Sequence, residues 1–255
     1  MKKKLDNKVV LLTGASRGLG REMAIYLAGE GAKLAICART QDQLDETARM
    51  CKEAGSEAVP IVCDVSDREQ LKDFVRLAAE HYGKMDALIN NAAYEYSKAP
   101  FLEQSEEDLL NAFSTGMFAV WDSMRLCFSY LKENGGSIIN MLSATYAEAI
   151  YGEASANADK GGIRSLSMAA ARDWGKHQIR VNTIAPFLGP SFYENVPDQF
   201  QDWVRTRESH NAAPAGTKGD PKSVAAAAAF LISDESHWIT GQNLTVDGGR
   251  SILFI

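Results

Sequence analysis

Short runs of aliphatic and β-branched residues alternate along the chain with longer stretches whose apolar positions recur every three and four residues. Residues 8–12, 33–38, 59–63, 87–89, 137–141, 180–185 and 243–246 predict strands. Between them, helical spacing marks residues 20–29, 41–54, 68–81, two stretches through Leu109 and on to Leu131, then 163–174 and 223–232. The stretch 68–81 is typical, with apolar side chains at 71, 74, 75, 78 and 79. Strand–helix alternation at this spacing predicts βαβ units, whose right-handed crossovers put helices on both faces of a parallel sheet. The expected architecture is a single-domain, Rossmann-type doubly wound α/β fold over residues 1–255, with a seven-stranded parallel sheet. One segment breaks the pattern. Residues 186–219 lack periodicity and carry Phe187, Phe192, Tyr193, Phe200 and Trp203 among prolines and glycines. A long aromatic insertion late in an α/β chain is expected to be a substrate lid, about 187–218.

Composition and charge remove several function classes. The chain has 255 residues, 45% hydrophobic and 24% charged, enough for one well-buried core. Lys and Arg total 27 against 33 Asp and Glu, a formal charge of −6. The only basic run is Lys2-Lys3-Lys4, so no nucleic-acid partner is expected. No apolar stretch reaches the roughly 18 residues of a bilayer span. The run 9–12 is too short for a signal-peptide core. A cytoplasmic protein without a membrane partner is expected. Cys37, Cys51, Cys63 and Cys127 lack CxxC spacing and read as buried, reduced thiols. The four histidines are scattered without metal-ligand spacing, so no metal is expected.

The densest chemistry lies where the first strand meets the first helix. Thr13-Gly14-Ala15-Ser16-Arg17-Gly18-Leu19-Gly20 places glycines where the backbone must turn tightly and approach a pyrophosphate. The helix start supplies N–H groups and the positive end of the helix dipole. The end of the second strand reads Cys37-Ala38-Arg39-Thr40. An acid there would bond a ribose 2′-hydroxyl, and none is present. Arg39 and Arg17 instead suit a 2′-phosphate, which predicts NADP(H) as cofactor.

The pattern TGxxxGxG resembles the short-chain dehydrogenase/reductase family, and the resemblance covers essentially the whole chain. It continues through Asp64-Val65, which by that resemblance flank the adenine, and Asn90-Asn91-Ala92-Ala93 after the fourth strand. Ile239-Thr240-Gly241-Gln242 and Val246-Asp247-Gly248-Gly249 resemble the C-terminal signature of the family. The resemblance implies an oxidoreductase that assembles as a homodimer or homotetramer, through helices around 116–131 and 163–174. It also places Pro186 on the nicotinamide side, with Phe187 narrowing the pocket there and Ser191 standing in for the threonine that bonds the carboxamide.

The catalytic positions depart from the family, which uses Ser, Tyr and Lys, the last two as Tyr-x-x-x-Lys. Lys160 matches the lysine, and Ser143 falls thirteen residues before the tyrosine position, as expected. That tyrosine position is Ala156. An asparagine expected on the preceding helix is Phe113. Two other tyrosines lie in the same loop, Tyr146 and Tyr151. Tyr146-Ala147-Glu148 is similar to a Tyr-Ala-Glu of the 2,4-dienoyl-CoA reductases, at fourteen residues before the lysine where those enzymes have about fifteen. Where those enzymes use an asparagine two residues past their NNAA, this chain has Glu95. Glu95, Tyr94 and Tyr96 fall where family substrates lie.

Conjugate reduction sends hydride to a β-carbon and develops charge on a carbonyl oxygen, which needs hydrogen-bond donors. It tolerates Ala156 better than ketone reduction does, because the α-carbon can take its proton from water. The expected function is therefore NADPH-dependent reduction of an activated C=C bond in a small, largely apolar substrate. In that reading Ser143 and Tyr146 bind the oxygen, and Lys160 holds the ribose. The alternatives are a carbonyl reductase or alcohol dehydrogenase using Tyr146 or Tyr151 as proton donor, and a catalytically silent cofactor-binding protein.

Overall fold

The structure, a computed structural model, describes residues 3–94, 96, 98–144, 146, 149, 151–188, 219–249 and 251. Its elements follow the chain as β1 (Val9–Thr13), α1 (Gly18–Gly29), β2 (Lys33–Ala38), α2 (Gln41–Ala54), β3 (Ala58–Val62), α3 (Arg68–Tyr82) and β4 (Ala87–Asn90). Then come α4 (Glu106–Phe113), α5 (Ala119–Leu131), β5 (Gly136–Met141), α6 (Ala154–Trp174), β6 (Ile179–Pro186), α7 (Pro221–Ile232) and β7 (Asn243–Val246). The seven strands form one sheet in the order β3-β2-β1-β4-β5-β6-β7, and every neighbouring pair is parallel. This is the doubly wound fold expected from the alternation.

Every residue of β1 and β4 is buried, as required of central strands covered on both faces. Two apolar cores result. One joins the sheet to α1, α2 and α7 through Met23, Leu27, Leu44 and Ala228. The other joins it to α3, α5 and α6 through Phe74, Val75, Met124 and Ile163. Strand order reverses between β1 and β4, and at such a switch point a crevice opens beyond the carboxyl ends of the strands. All four cysteines are free and buried. No helix among the described residues is long and apolar enough to cross a membrane.

Two helices differ from the expected pattern. The structure starts α6 at Ala154, nine residues before the predicted start at 163. Its first turns bury Ser155, Ala156, Asp159 and Lys160, a polar and small stripe that carries no apolar period. Gly161-Gly162 also lowers the local helix propensity. Between α4 and α5 the chain makes a π-turn, Ser114–Phe118, so the two predicted stretches run on through one widened turn. Of the expected lid, Phe187 is half-buried and Leu188 buried, and positions 189–218 lie outside the described residues.

Candidate active site

The crevice is built first by β1 and the loop that leaves it. Gly14 takes φ +70° and Gly18 φ +57°, both left-handed conformations. The Ala15 N–H donates to Cys37 O at 3.1 Å, tying the loop to the end of β2. An added Cβ at Gly20 would stand 2.1 Å from Gly14 O, so the helix start and the loop approach as closely as backbone allows. Arg17 precedes α1 without a side-chain cap, and no acid lies in the first turn. The N–H groups there are left for an anion, and a dinucleotide pyrophosphate fits this cradle. Ser16 and Leu19 complete the loop. Arg21 Nη2 donates to Ser16 O at 2.5 Å and Thr47 Oγ1 to Ala15 O at 3.0 Å, so α1 and α2 both pin the loop.

The neighbouring strands bring the other candidates to the same edge. Arg39 is exposed two residues past Cys37, at the end of β2, and Arg17 is exposed on the loop. Cys63 N–H donates to Ala38 O at 2.9 Å, which sets Asp64 and Val65 beyond β3. Asp64 Oδ1 accepts from the Ser66 N–H and hydroxyl, and Val65 is buried. Asn91 Nδ2 donates to Thr13 O at 3.0 Å and Gly14 O at 3.1 Å. The N–H groups of Asn91 and Ala92 both reach Thr13 Oγ1. Pro186 ends β6, and the following Phe187 N–H donates to Val246 O at 3.0 Å. Ser191 lies outside the described residues.

The reactive end lies past β5. Ser143 follows that strand by two residues and is half-buried. Tyr146 N–H donates to Ser143 O at 3.3 Å, a single turn that keeps both side chains near the strand end. Tyr146 is half-buried and packs against the α3–α5–α6 core. Lys160 is buried on α6, with Nζ 3.4 Å from Met141 O. Burial pulls its ammonium below the usual lysine range, and Asp159 opposes that shift. Ala156 sits one turn before Lys160 and is 8% exposed. Tyr151 is 69% exposed, on a surface turn. Phe113 closes α4, its ring 6.1 Å from that of Phe118 across the π-turn.

Two features escaped the sequence reading. A buried polar chain crosses the sheet, in which Ser123 Oγ donates to Asn90 Oδ1, Asn90 Nδ2 to Asn140 Oδ1 and Asn140 Nδ2 to Ser167 Oγ, each at 2.8 Å. It locks α5 and α6 to the strand ends that carry the site. The second is Asp159, wholly buried beside Lys160, which accepts a 2.8 Å hydrogen bond from the Tyr96 hydroxyl. An acid directly before the lysine was the only signal for it in the sequence.

Comparison with known proteins agrees with this geometry. A family profile described as Enoyl-(Acyl carrier protein) reductase matches residues 14–251. The 3-oxoacyl-[acyl-carrier-protein] reductase FabG of Thermotoga maritima is 30% identical over 251 residues, covering 98% of this chain and all of the relative (100%). A putative short-chain alcohol dehydrogenase from Sinorhizobium meliloti 1021 superposes with a TM-score of 0.91 at 31% identity, covering 98% of each chain. A 7α-hydroxysteroid dehydrogenase complexed with NADH and 7-oxo glycochenodeoxycholic acid superposes with a TM-score of 0.88 at 28% identity, over 97% of this chain and 96% of that one. The glycine loop at the switch point, the strand order and these matches together make the chain a member of the short-chain dehydrogenase/reductase family, an NAD(P)-dependent oxidoreductase.

Proposed function

We propose that this oxidoreductase uses NADPH to reduce a C=C bond conjugated to a carbonyl, in a small and largely apolar substrate. The observation that carries the reading is Ala156: the position one helical turn before the buried Lys160 has no hydroxyl to protonate an alkoxide. A conjugated substrate does not need one there. NADPH, when bound, supplies hydride to the β-carbon. Gly14, Ser16, Arg17, Gly18, Leu19 and Gly20 hold the pyrophosphate, Asp64 and Val65 flank the adenine, and Asn91 and Ala92 back the loop. Pro186 and Ser191 would serve the nicotinamide, and Lys160 would donate to its ribose. Ser143 and Tyr146 donate to the oxygen on which enolate charge develops. Residues 187–218 act as the lid of this single domain.

The test is NADPH oxidation with an α,β-unsaturated ketone and its saturated partner, with the products identified. Loss of the C=C with the carbonyl intact, and no turnover of the saturated ketone, is the expected result. Alcohol formed from the saturated ketone overturns it in favour of carbonyl reduction with Tyr146 as donor. The name of the Thermotoga relative favours that second reading. The exposure of Tyr151 counts against the same role for it. Tight NADPH binding without oxidation by any acceptor would point instead to a silent cofactor-binding protein.

The cofactor preference has its own check. Arg39→Asp removes a charge-assisted hydrogen bond worth about 1.5–3 kcal/mol. NADPH affinity should fall about ten- to a hundredfold, with NADH affinity unchanged or improved. Equal loss for both nucleotides would remove Arg39 from the 2′-phosphate site.

A further inference from the structure

The Asp159 carboxylate is seated by groups that the family pattern does not explain. Oδ1 accepts from the Met117 N–H at 2.7 Å, inside the π-turn. Oδ2 accepts from the Tyr96 hydroxyl at 2.8 Å. Gly116 makes the seat possible, since a Cβ there would stand 2.1 Å from Oδ1. Lys160 is held differently. Its Nζ lies 3.6 Å from Asp159 Oδ2 and 3.4 Å from Met141 O, both longer than the roughly 2.7–2.9 Å of a charge-assisted hydrogen bond. The carboxylate is thus fixed by a backbone N–H and a phenol, and the ammonium stands beside it without being gripped.

We propose that Asp159 is a positioning residue: seated by Met117 and Tyr96, it keeps the buried Lys160 charged while leaving its ammonium free to turn to the nicotinamide ribose. The proposal rests on the reading of Lys160 as the ribose ligand. A buried ammonium without a counter-charge sheds its proton. A tight ion pair would compete with the ribose for the same donor. Asp159 avoids both, and it retains two hydrogen bonds when the lysine turns away, so its buried charge is not left unpaired. Tyr96 suits the seat. Burial first, and then the Asp159 charge, push its hydroxyl well above the usual tyrosine range, so it stays a donor and does not become a base.

Among the described residues, few other titratable groups bear on the lysine. Tyr96, from the segment after β4, has its ring centroid 5.9 Å from Nζ. Glu153 raises the Tyr96 hydroxyl further and pairs with Lys98 at 2.8 Å. Arg164 is half-buried one turn along α6. β5 presents the Met141 carbonyl, β6 carries Arg180 at its far end, and the α4 acids Glu106, Glu107 and Asp108 lie in that helix's first turn.

The experiment is NADPH affinity, by fluorescence titration, from pH 6 to 10. Asp159→Asn keeps an acceptor for Met117 and removes the charge. Without that attraction Lys160 loses its proton at lower pH, so affinity should fall about tenfold for each unit of pH above the lowered titration point. The parent chain should hold its affinity to higher pH. Adding Lys160→Arg to Asp159→Asn should flatten the profile, because a guanidinium stays charged throughout. An Asp159→Asn profile matching the parent overturns the proposal. If that variant does not fold, NMR of the 15N-lysine-labelled parent decides, with Lys160→Arg used for assignment. A Lys160 ammonium signal persisting to pH 9 supports the proposal, and a neutral amine at pH 7 overturns it. Lys160→Met separates the two readings. Unchanged NADPH affinity in that variant refutes the ribose reading, whatever the lysine titration shows.

Discussion

Gly20→Val should abolish useful dinucleotide binding, with the NADPH dissociation constant rising about a hundredfold or more, a loss of roughly 3 kcal/mol. The first Cβ alone would stand 2.1 Å from Gly14 O and 2.7 Å from Asn91 Nδ2. Neither neighbour is free to yield. Asn91 Nδ2 is bonded to both Thr13 O and Gly14 O, and Ala15 N–H holds the loop to β2. The start of α1 must therefore move off the loop, and its N–H groups no longer converge on a pyrophosphate. Overpacking of this kind also lowers folding stability by about 1–3 kcal/mol. Thermal unfolding with and without NADPH reads both effects. The parent should gain stability from the nucleotide by mass action, and the variant should gain none. Gly161→Ala is the matched control. Nothing lies within 4 Å of an added Cβ there, on a helix interior. That substitution should raise stability by about 0.5–1 kcal/mol. A Gly20 variant that kept its nucleotide-induced shift would show that the cradle is not the binding element.

The difference between those two glycines also shows where the sequence was readable. The loop 13–20 is a local signal: its glycines, the strand before it and the helix after it lie within one short window, and each constrains the others. The strands were legible for a similar reason, since β1, β2 and β4 are aliphatic runs bounded by polar residues, and the structure moves their ends by about a residue. The start of α6 was not legible, because its buried stripe is Ser155, Ala156, Asp159 and Lys160. Burial there is decided by what the helix meets, the π-turn and the end of β5, and not by its own periodicity. The same holds for the seat of Asp159. Tyr96 and Asp159 are 63 positions apart and meet only because the neighbouring strands β4 and β5 bring the segment after β4 and the start of α6 to the same end of the sheet. Asn90 and Asn140 weaken the apolar character of β4 and β5 when each is read alone. Only the register that sets one opposite the other shows that each satisfies its neighbour.

Ala156→Tyr should convert the chain's chemistry, raising reduction of a saturated ketone at least about a hundredfold, within the range of a positioned general acid. Position 156 is one turn before Lys160 on α6, so the two side chains share a face. A phenol there would stand near the Lys160 ammonium, which favours its ionised form and lowers its titration toward working pH. That effect needs the lysine to stay charged, which is the part proposed above for the Asp159 carboxylate 3.6 Å away. Reduction of the conjugated C=C should change by less than about tenfold in Ala156→Tyr, since it takes no proton from this position. Ala156→Phe supplies the same ring without the hydroxyl and should gain no ketone reduction, which separates proton donation from added bulk. If Ala156→Tyr and Ala156→Phe behave alike, or the parent already reduces the saturated ketone as fast, the alanine does not direct the chemistry. The donor must then be sought at Tyr146, where Tyr146→Phe would show its loss.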